Sequence, residues 1–310
     1  MTADLHSVML PAWHASAVTA DPLESLLHLR QHQHDGVRSP HKPLLVLLAL
    51  GRLARTGSSE ISWSEARIDL AELVTDFGPP SKTAAAQKAA YPFTRLRSDM
   101  LWVLDADVPM DRMTPLAEQN VKGRFPELVE RALRDPAVLR ATARSVVEAE
   151  FPPTLVPDVL TAAGLDPDEV YATPAVVTTR RRSSAWPAQI LNAWDRQCAF
   201  CGFDGQLGAS SVGLEAAHIR WFNYDGPDDL DNGLALCSLH HKLLDRGVLG
   251  LTEDYRIQVS TDYTARTAAG RQIYELADHE LRPRPGTPLP DPSHVRWHRT
   301  QVFKGLRLTG

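Results

Sequence analysis

All three cysteines of this 310-residue chain fall in one frame with a histidine, Cys198-x-x-Cys201 and Cys237-x-x-His240, with 35 residues between the two pairs. Two short knuckles of soft ligands are what a tetrahedral structural zinc requires, and a metal gripping both would fix the path of the chain between them. The odd cysteine count is thereby explained. Thiolates used as metal ligands also fit a reducing compartment.

Three motifs lie between and just after the knuckles: Leu214-Glu215-Ala216-Ala217-His218-Ile219, then Asp231-Asn232-Gly233, then Leu239-His240-His241-Lys242 running on to Asp245. The apolar stretch 234–244 predicts a short helix. On it Cys237 and His240 share a face, and His241 is turned about 100° away, so one helix can serve a zinc on one side and a second ligand role on the other. His218 follows a strand-like run that a hairpin would bring beside that helix. In this order His218, Asn232 and His241 resemble the signature of HNH nucleases, and the resemblance implies a ββα-metal fold.

Phosphodiester hydrolysis needs a water deprotonated near neutral pH, and an imidazole with a pKa of about 6.5 suits the task, so His218 is the candidate general base. His241 is the candidate ligand of a catalytic divalent cation, Mg²⁺ or Mn²⁺, and Asn232 is expected to pin the loop that carries His218. Many HNH sites place an acidic residue immediately before the first histidine, where this chain has Ala217. Glu215 or Asp245 stands in as the second ligand, the latter four residues after His241 on one helical face. The plainer alternative is a zinc-stabilised DNA-binding regulator without catalysis.

The chain divides into an expected N-terminal domain over 1–165, a polar connection over 166–186 containing Arg180-Arg181-Arg182, and a C-terminal domain over 187–310, an α+β protein with a mixed α/β first domain. Helices are predicted over 22–31, 40–55 (capped by Ser39, with Pro40 at its first position) and 126–149, and strands over 101–104 and 255–259. The Pro-rich 281–292 and the segment 295–298 are expected to wrap the nuclease core. No apolar run reaches membrane-spanning length and the first residues lack a signal-peptide layout, so a cytoplasmic protein is expected. The net charge of −5 is not that of an indiscriminate DNA binder. It favours a nuclease that waits for a particular mark.

Two clusters in the first half suit such a mark. Residues 29–43 gather Arg30, Gln31, His32, Arg38, His41 and Lys42 before an apolar helix, whose N-terminal N–H groups and dipole would make His41 and Lys42 a phosphate site. Tyr91-Pro92-Phe93-Thr94-Arg95 forms an apolar cup edged by arginine. Together Ser39-Pro40-His41-Lys42-Pro43-Leu44-Leu45 and Tyr91-Pro92-Phe93 resemble the sulfur-binding domain of McrA-type, phosphorothioate-dependent restriction endonucleases. The resemblance implies recognition of double-stranded DNA in which sulfur replaces a non-bridging backbone oxygen, in a GGCC-, GATC- or GAAC-like core. Tyr91 and the Pro92 ring would cup the sulfur. Arg30, Gln31, His32 and Arg38 would read bases in the major groove, with Arg95, Lys122 and Arg124 as further DNA contacts. A reader of methylated cytosine is the alternative, although no domain with room for a flipped base is apparent. Cutting both strands with one site per chain predicts a homodimer.

Overall fold

Every residue from Pro43 to Gly51 is buried, so the helix that contains them, α1 (His41–Thr56), is walled in on all sides and becomes the axis of the first half. It ends at Gly57, whose φ of 76° is the left-handed conformation that closes a helix cheaply only with glycine. The computed structural model describes Leu26 and residues 38–172, 183–281 and 283–305. After α1 come β1 (Ile61–Ser62), α2 (Trp63–Phe77) with a Ser62/Glu65 capping box, and α3 (Ala85–Arg95). Next follow β2 (Val103–Leu104), α4 (Met113–Glu118), β3 (Lys122–Arg124), α5 (Glu127–Leu133), α6 (Pro136–Glu150), α7 (Val156–Ala162) and α8 (Pro167–Ala172). The three strands form one small antiparallel sheet with β3 in the middle. An edge-to-face chain of rings, Trp63–Phe93–Trp102–Phe125, at centroid spacings of 5.4, 5.9 and 5.8 Å, joins that sheet to the helices.

The second half begins with α9 (Trp186–Ala193) and the hairpin β4 (Gln206–Leu207) and β5 (Ser210–Ser211). Then come β6 (Leu214–His218), β7 (Gly233–Cys237) and α10 (Ser238–Asp245), followed by β8 (Leu249–Leu251), β9 (Ile257–Val259), α11 (Ala268–Arg271) and α12 (Pro292–Gln301). β6 and β7 pair antiparallel, with His218 opposite Gly233 and Leu214 opposite Cys237. This is a β-hairpin feeding a helix, built around its own core of Trp186, Ile190, Ala217, Leu234, Leu236 and Leu244.

The helix predicted over 234–244 is instead strand as far as Cys237, because Leu234–Leu236 are buried on both faces by pairing with β6 and packing under α9. The helix over 126–149 is two helices broken at Asp135-Pro136, where Asp135 caps the second. Ser39 is not a cap; Pro40 holds that position, and the Ser39 hydroxyl lies 3.3 Å from His41 Nδ1. The residues 22–25, 27–37 and 173–182, including Arg30, Gln31, His32 and Arg180-Arg181-Arg182, lie outside the described residues.

The two halves share an extensive contact. α12 does not merely wrap the nuclease core, since Trp297 and Val302 belong to the first core together with Trp221. Tyr224 donates to Glu150 at 2.6 Å, Lys242 pairs with Asp158 at 2.9 Å, and Lys304 donates to the Gly78 carbonyl at 2.6 Å. His298 of α12 is 1% exposed, and its Nε2 lies 3.0 Å from the Leu244 carbonyl, tying α12 to the end of α10.

Burial, aided by the charge of Arg38, pushes the His298 pKa down from 6.5 to about 4, against the pull of that carbonyl. Between these values the unfolded chain binds more protons than the folded one, so stability is lost as pH falls from 6.5 to about 4. The full loss from this group is roughly 3 kcal/mol. His298→Gln is therefore expected to flatten the fall in urea midpoint between pH 7 and pH 4.5; an unchanged fall would assign the acid sensitivity to other groups.

Candidate functional site

The Sγ atoms of Cys198, Cys201 and Cys237 and a ring nitrogen of His240 all lie within 4.8 Å of one another. Cys198 Sγ is 3.4 Å from His240 Nδ1. Cys237 is the last residue of β7 and caps α10, so the strand-to-helix turn rather than a continuous helix brings it beside His240. Hydrogen bonding from Cys237 and His240 holds the Cys198 thiol well below its ordinary value, while the same Cys198 contact, with burial, raises Cys237. A Cys₃His cluster of this size and donor chemistry fits a structural zinc.

His218 ends β6 and is largely buried. The Trp186 ring stacks on it at 3.8 Å with a 15° tilt, and its Nε2 lies 2.8 Å from Asp228 Oδ1. The other Asp228 oxygen accepts from the Ser183 backbone N–H at 2.6 Å. Gly233, opposite His218, is required for this arrangement, because a Cβ there would lie 2.2 Å from Ile190 Cδ1 and 2.8 Å from the Trp186 ring. Asn232, fully buried, bridges the loop: Oδ1 accepts from Arg220 N–H at 2.8 Å, and Nδ2 donates to the Arg220 and Pro227 carbonyls at 3.0 and 2.9 Å. Those bonds hold both ends of the segment that runs from His218 to its partner Asp228. Asp228, Ser183 and Trp186 were not identified from sequence. The acidic pair Asp228-Asp229 between His218 and Asn232 was the available signal for Asp228, whereas nothing local marks Trp186.

His241 sits between two carboxylates. Its Nδ1 is 2.7 Å from Glu215 Oε2 and its Nε2 is 3.3 Å from Asp245 Oδ2. The two acids differ in kind. Glu215 is 43% exposed, with its other oxygen accepting from Ser238 at 2.6 Å, and these hydrogen bonds, His241 first, hold its pKa at about 2. Asp245 is fully buried, is raised by that burial, and accepts from the Thr154 hydroxyl of the first half. A histidine with a buried carboxylate on one nitrogen and an accessible one on the other matches how a metal-ligating imidazole is oriented from behind and met in front by a second ligand.

In the first half, Arg38, Ser39, His41, Tyr91 and Lys88 line a cavity of about 450 Å³, with Pro79 and Pro80 as its apolar wall. Burial, together with the charges of Lys88, Arg38 and Arg95, lowers His41 to about 4, which leaves it neutral at pH 7. Tyr91 therefore does face a pocket. Pro92 does not line it: the residue is buried inside α3, and the proline surface comes from Pro79 and Pro80. Arg38, expected in a DNA groove, is 2% exposed, stacks on Trp221 at 4.2 Å and donates to the Phe77 carbonyl. Long-range packing with the second half, invisible in local sequence, takes it inward. Lys42 pairs with Asp99 at 2.5 Å, Arg95 makes a two-pronged pair with Asp111 while lying 5.1 Å over the Tyr91 ring, and Lys122 pairs with Glu60 at 2.9 Å. Arg124 is exposed at the end of β3. Lys88 was missed by sequence reasoning, being one cation in an alanine-rich helix.

Residues 19–168 match the family of the ScoMcrA-like DNA sulfur-binding domain, and residues 198–252 match the HNH endonuclease family. The molecule is thus of the class that joins a DNA-reading domain to an HNH nuclease. Specifically, it carries a ScoMcrA-like DNA sulfur-binding domain followed by an HNH endonuclease domain. Among solved structures it is similar to the sulfur-binding domain of ScoMcrA complexed with phosphorothioated DNA (21% identity, TM-score 0.39, 46% of this chain and 97% of that one). It is also similar to the type IV phosphorothioation-dependent restriction endonuclease ScoMcrA (18%, TM-score 0.39, 69% of this chain) and to the modification-dependent TagI restriction endonuclease (25%, TM-score 0.33, 43% of this chain). The chain spans 43% and 42% of the length of those two enzymes. No curated protein matches it. No helix among the described residues is long and apolar enough to cross a membrane.

Proposed function

We propose that this protein is a modification-dependent, type IV restriction endonuclease that binds phosphorothioated double-stranded DNA through its first domain and hydrolyses a nearby phosphodiester at the HNH site. The observation that carries the reading is one chain holding both a cation-lined cavity with an apolar Tyr91–Pro79–Pro80 wall and the His218–Asn232–His241 constellation. Sulfur is larger and less well hydrated than oxygen, so an apolar wall favours it. The contact area alone contributes only on the order of 1 kcal/mol, and the rest of the discrimination comes from disfavouring an oxygen that would lose water there without gaining a hydrogen bond.

At the nuclease site Asp228, on Nε2, fixes the His218 tautomer in which Nδ1 is the basic atom. His218 takes a proton from the attacking water, and the Trp186 ring holds the imidazole plane. Asn232 keeps His218 and Asp228 in register. Cys198, Cys201, Cys237 and His240 would hold a zinc with a structural role. His241 and Glu215 would hold the Mg²⁺ or Mn²⁺, with Asp245 orienting His241; such a cation supplies charge stabilisation to the phosphorane-like transition state. Glu215→Gln is expected to weaken Mn²⁺ binding more than ten-fold by calorimetry with zinc content unchanged, and an unchanged Mn²⁺ affinity would remove Glu215 from the shell. A single site per chain cutting two strands favours a working homodimer.

The sulfur assignment is tested by Tyr91→Ala, which keeps both cores. The variant is expected to lose its preference for a duplex with one backbone sulfur over the same duplex without it, zinc content being unchanged. Preserved preference would place the sulfur elsewhere.

A further inference from the structure

The cavity that holds Tyr91, His41 and Lys88 is not made by the sulfur-binding domain alone. Thr300 and Gln301, the last residues of α12 in the HNH half, also line it. Gln301 Oε1 accepts from the Arg38 backbone N–H at 2.7 Å, so the end of α12 is bonded to the turn that leads into Ser39 and His41. One buried cation faces this space. Lys88 is 7% exposed, and its side chain makes no hydrogen bond or ion pair among the described residues. Arg38 contributes to the wall, but its guanidinium is turned inward onto Trp221 and donates to the Phe77 carbonyl. Burying a cation without a paired anion is costly, and the cost is relieved when an anion enters. Thr300 is exposed at the rim, where its hydroxyl is 3.0 Å from the Arg296 carbonyl.

We propose that the backbone group of the mark is bound in a composite pocket, in which Thr300 and Gln301 of the nuclease domain complete the wall around Lys88 and Tyr91. The proposal rests on the sulfur-reading function and adds to it that the nuclease half is itself part of the reader. A singly charged phosphorothioate diester suits the pocket: Lys88 meets its charge, and the Tyr91, Pro79 and Pro80 surfaces meet its sulfur. Filling the pocket then engages both halves at once, because α12 also holds the catalytic helix α10 through His298 and Leu244.

The test uses the full-length protein and two identical duplexes, one with a single backbone sulfur, followed by fluorescence anisotropy. Three variants are compared with the parent: Thr300→Glu, Lys88→Met and Ser293→Glu, the last making the same charge change about 10 Å away at the other end of α12. Thr300→Glu and Lys88→Met are each expected to weaken binding of the sulfur duplex at least ten-fold, with Ser293→Glu close to the parent. If the parent prefers sulfur and Thr300→Glu binds as tightly as it does, the composite pocket is overturned while the sulfur-reading function stands. If Ser293→Glu weakens binding as much as Thr300→Glu, the helix is sensed only through general charge and the pocket is likewise overturned. If the parent shows no preference but Thr300→Glu and Lys88→Met lose both duplexes, the pocket stands as a backbone-phosphate site and the sulfur-reading function falls.

Discussion

Replacing His218 by alanine is expected to lower the rate of DNA cleavage by about 10²–10⁴-fold, the range for losing a positioned general base, while leaving the thermal midpoint and DNA affinity close to those of the parent. The side chain is held by Trp186 and Asp228, and β6 is fixed independently by its ladder with β7. Removing the ring should therefore leave the hairpin paired. Asp228→Asn should reproduce part of the loss, since an amide at Nε2 no longer favours the same tautomer or stabilises the imidazolium formed during reaction. Single-turnover cleavage with saturating enzyme separates this step from binding. A His218→Ala protein that cuts at the parental rate would exclude His218 as the base.

Loss of the Cys₃His cluster is expected to have the larger effect on stability. Structural zinc sites contribute on the order of 10–16 kcal/mol in apparent binding energy, comparable to the roughly 5–15 kcal/mol that holds a whole domain together. Cys198 and Phe200 belong to the second core and His240 projects from α10, so the cluster ties the first knuckle to that helix. Cys198→Ser should yield protein with no bound zinc, no cleavage and an unfolded HNH domain. Because Trp221, Trp297 and Val302 are shared with the first core, the sulfur-binding half should also melt earlier than in the parent. Metal analysis and differential scanning calorimetry check both points. A zinc-free variant with the parental melting profile would show that the cluster carries no structural load.

The four residues of the Cys₃His cluster were readable from sequence because soft-ligand chemistry restricts residue type and spacing so tightly that few alternatives remain. His218, Asn232 and His241 were readable as an ordered set for a similar reason, and their placement on a hairpin and the following helix agrees with the expected arrangement of elements. The secondary structure of Leu234–Leu236 was not readable. A short apolar run buried on both sides has no period to betray it, and only pairing with Leu214–His218 makes it a strand. Arg38 was misplaced for a different reason: an arginine in a polar stretch looks solvated, and its stack on Trp221 is a contact between distant parts of the chain. Lys88 and Thr300 share that limitation, since the cavity they line is assembled from four separate segments. Asp228 lay within reach, being an acid in the loop between the two recognised motif residues.

One backbone sulfur is expected to license cleavage. Incubating the purified protein and Mn²⁺ with two duplexes identical except for a single phosphorothioate linkage, and following binding and cutting together, decides it. Binding and cleavage confined to the sulfur duplex are predicted. Equal binding and cutting of both would leave an HNH nuclease whose first domain does not read sulfur.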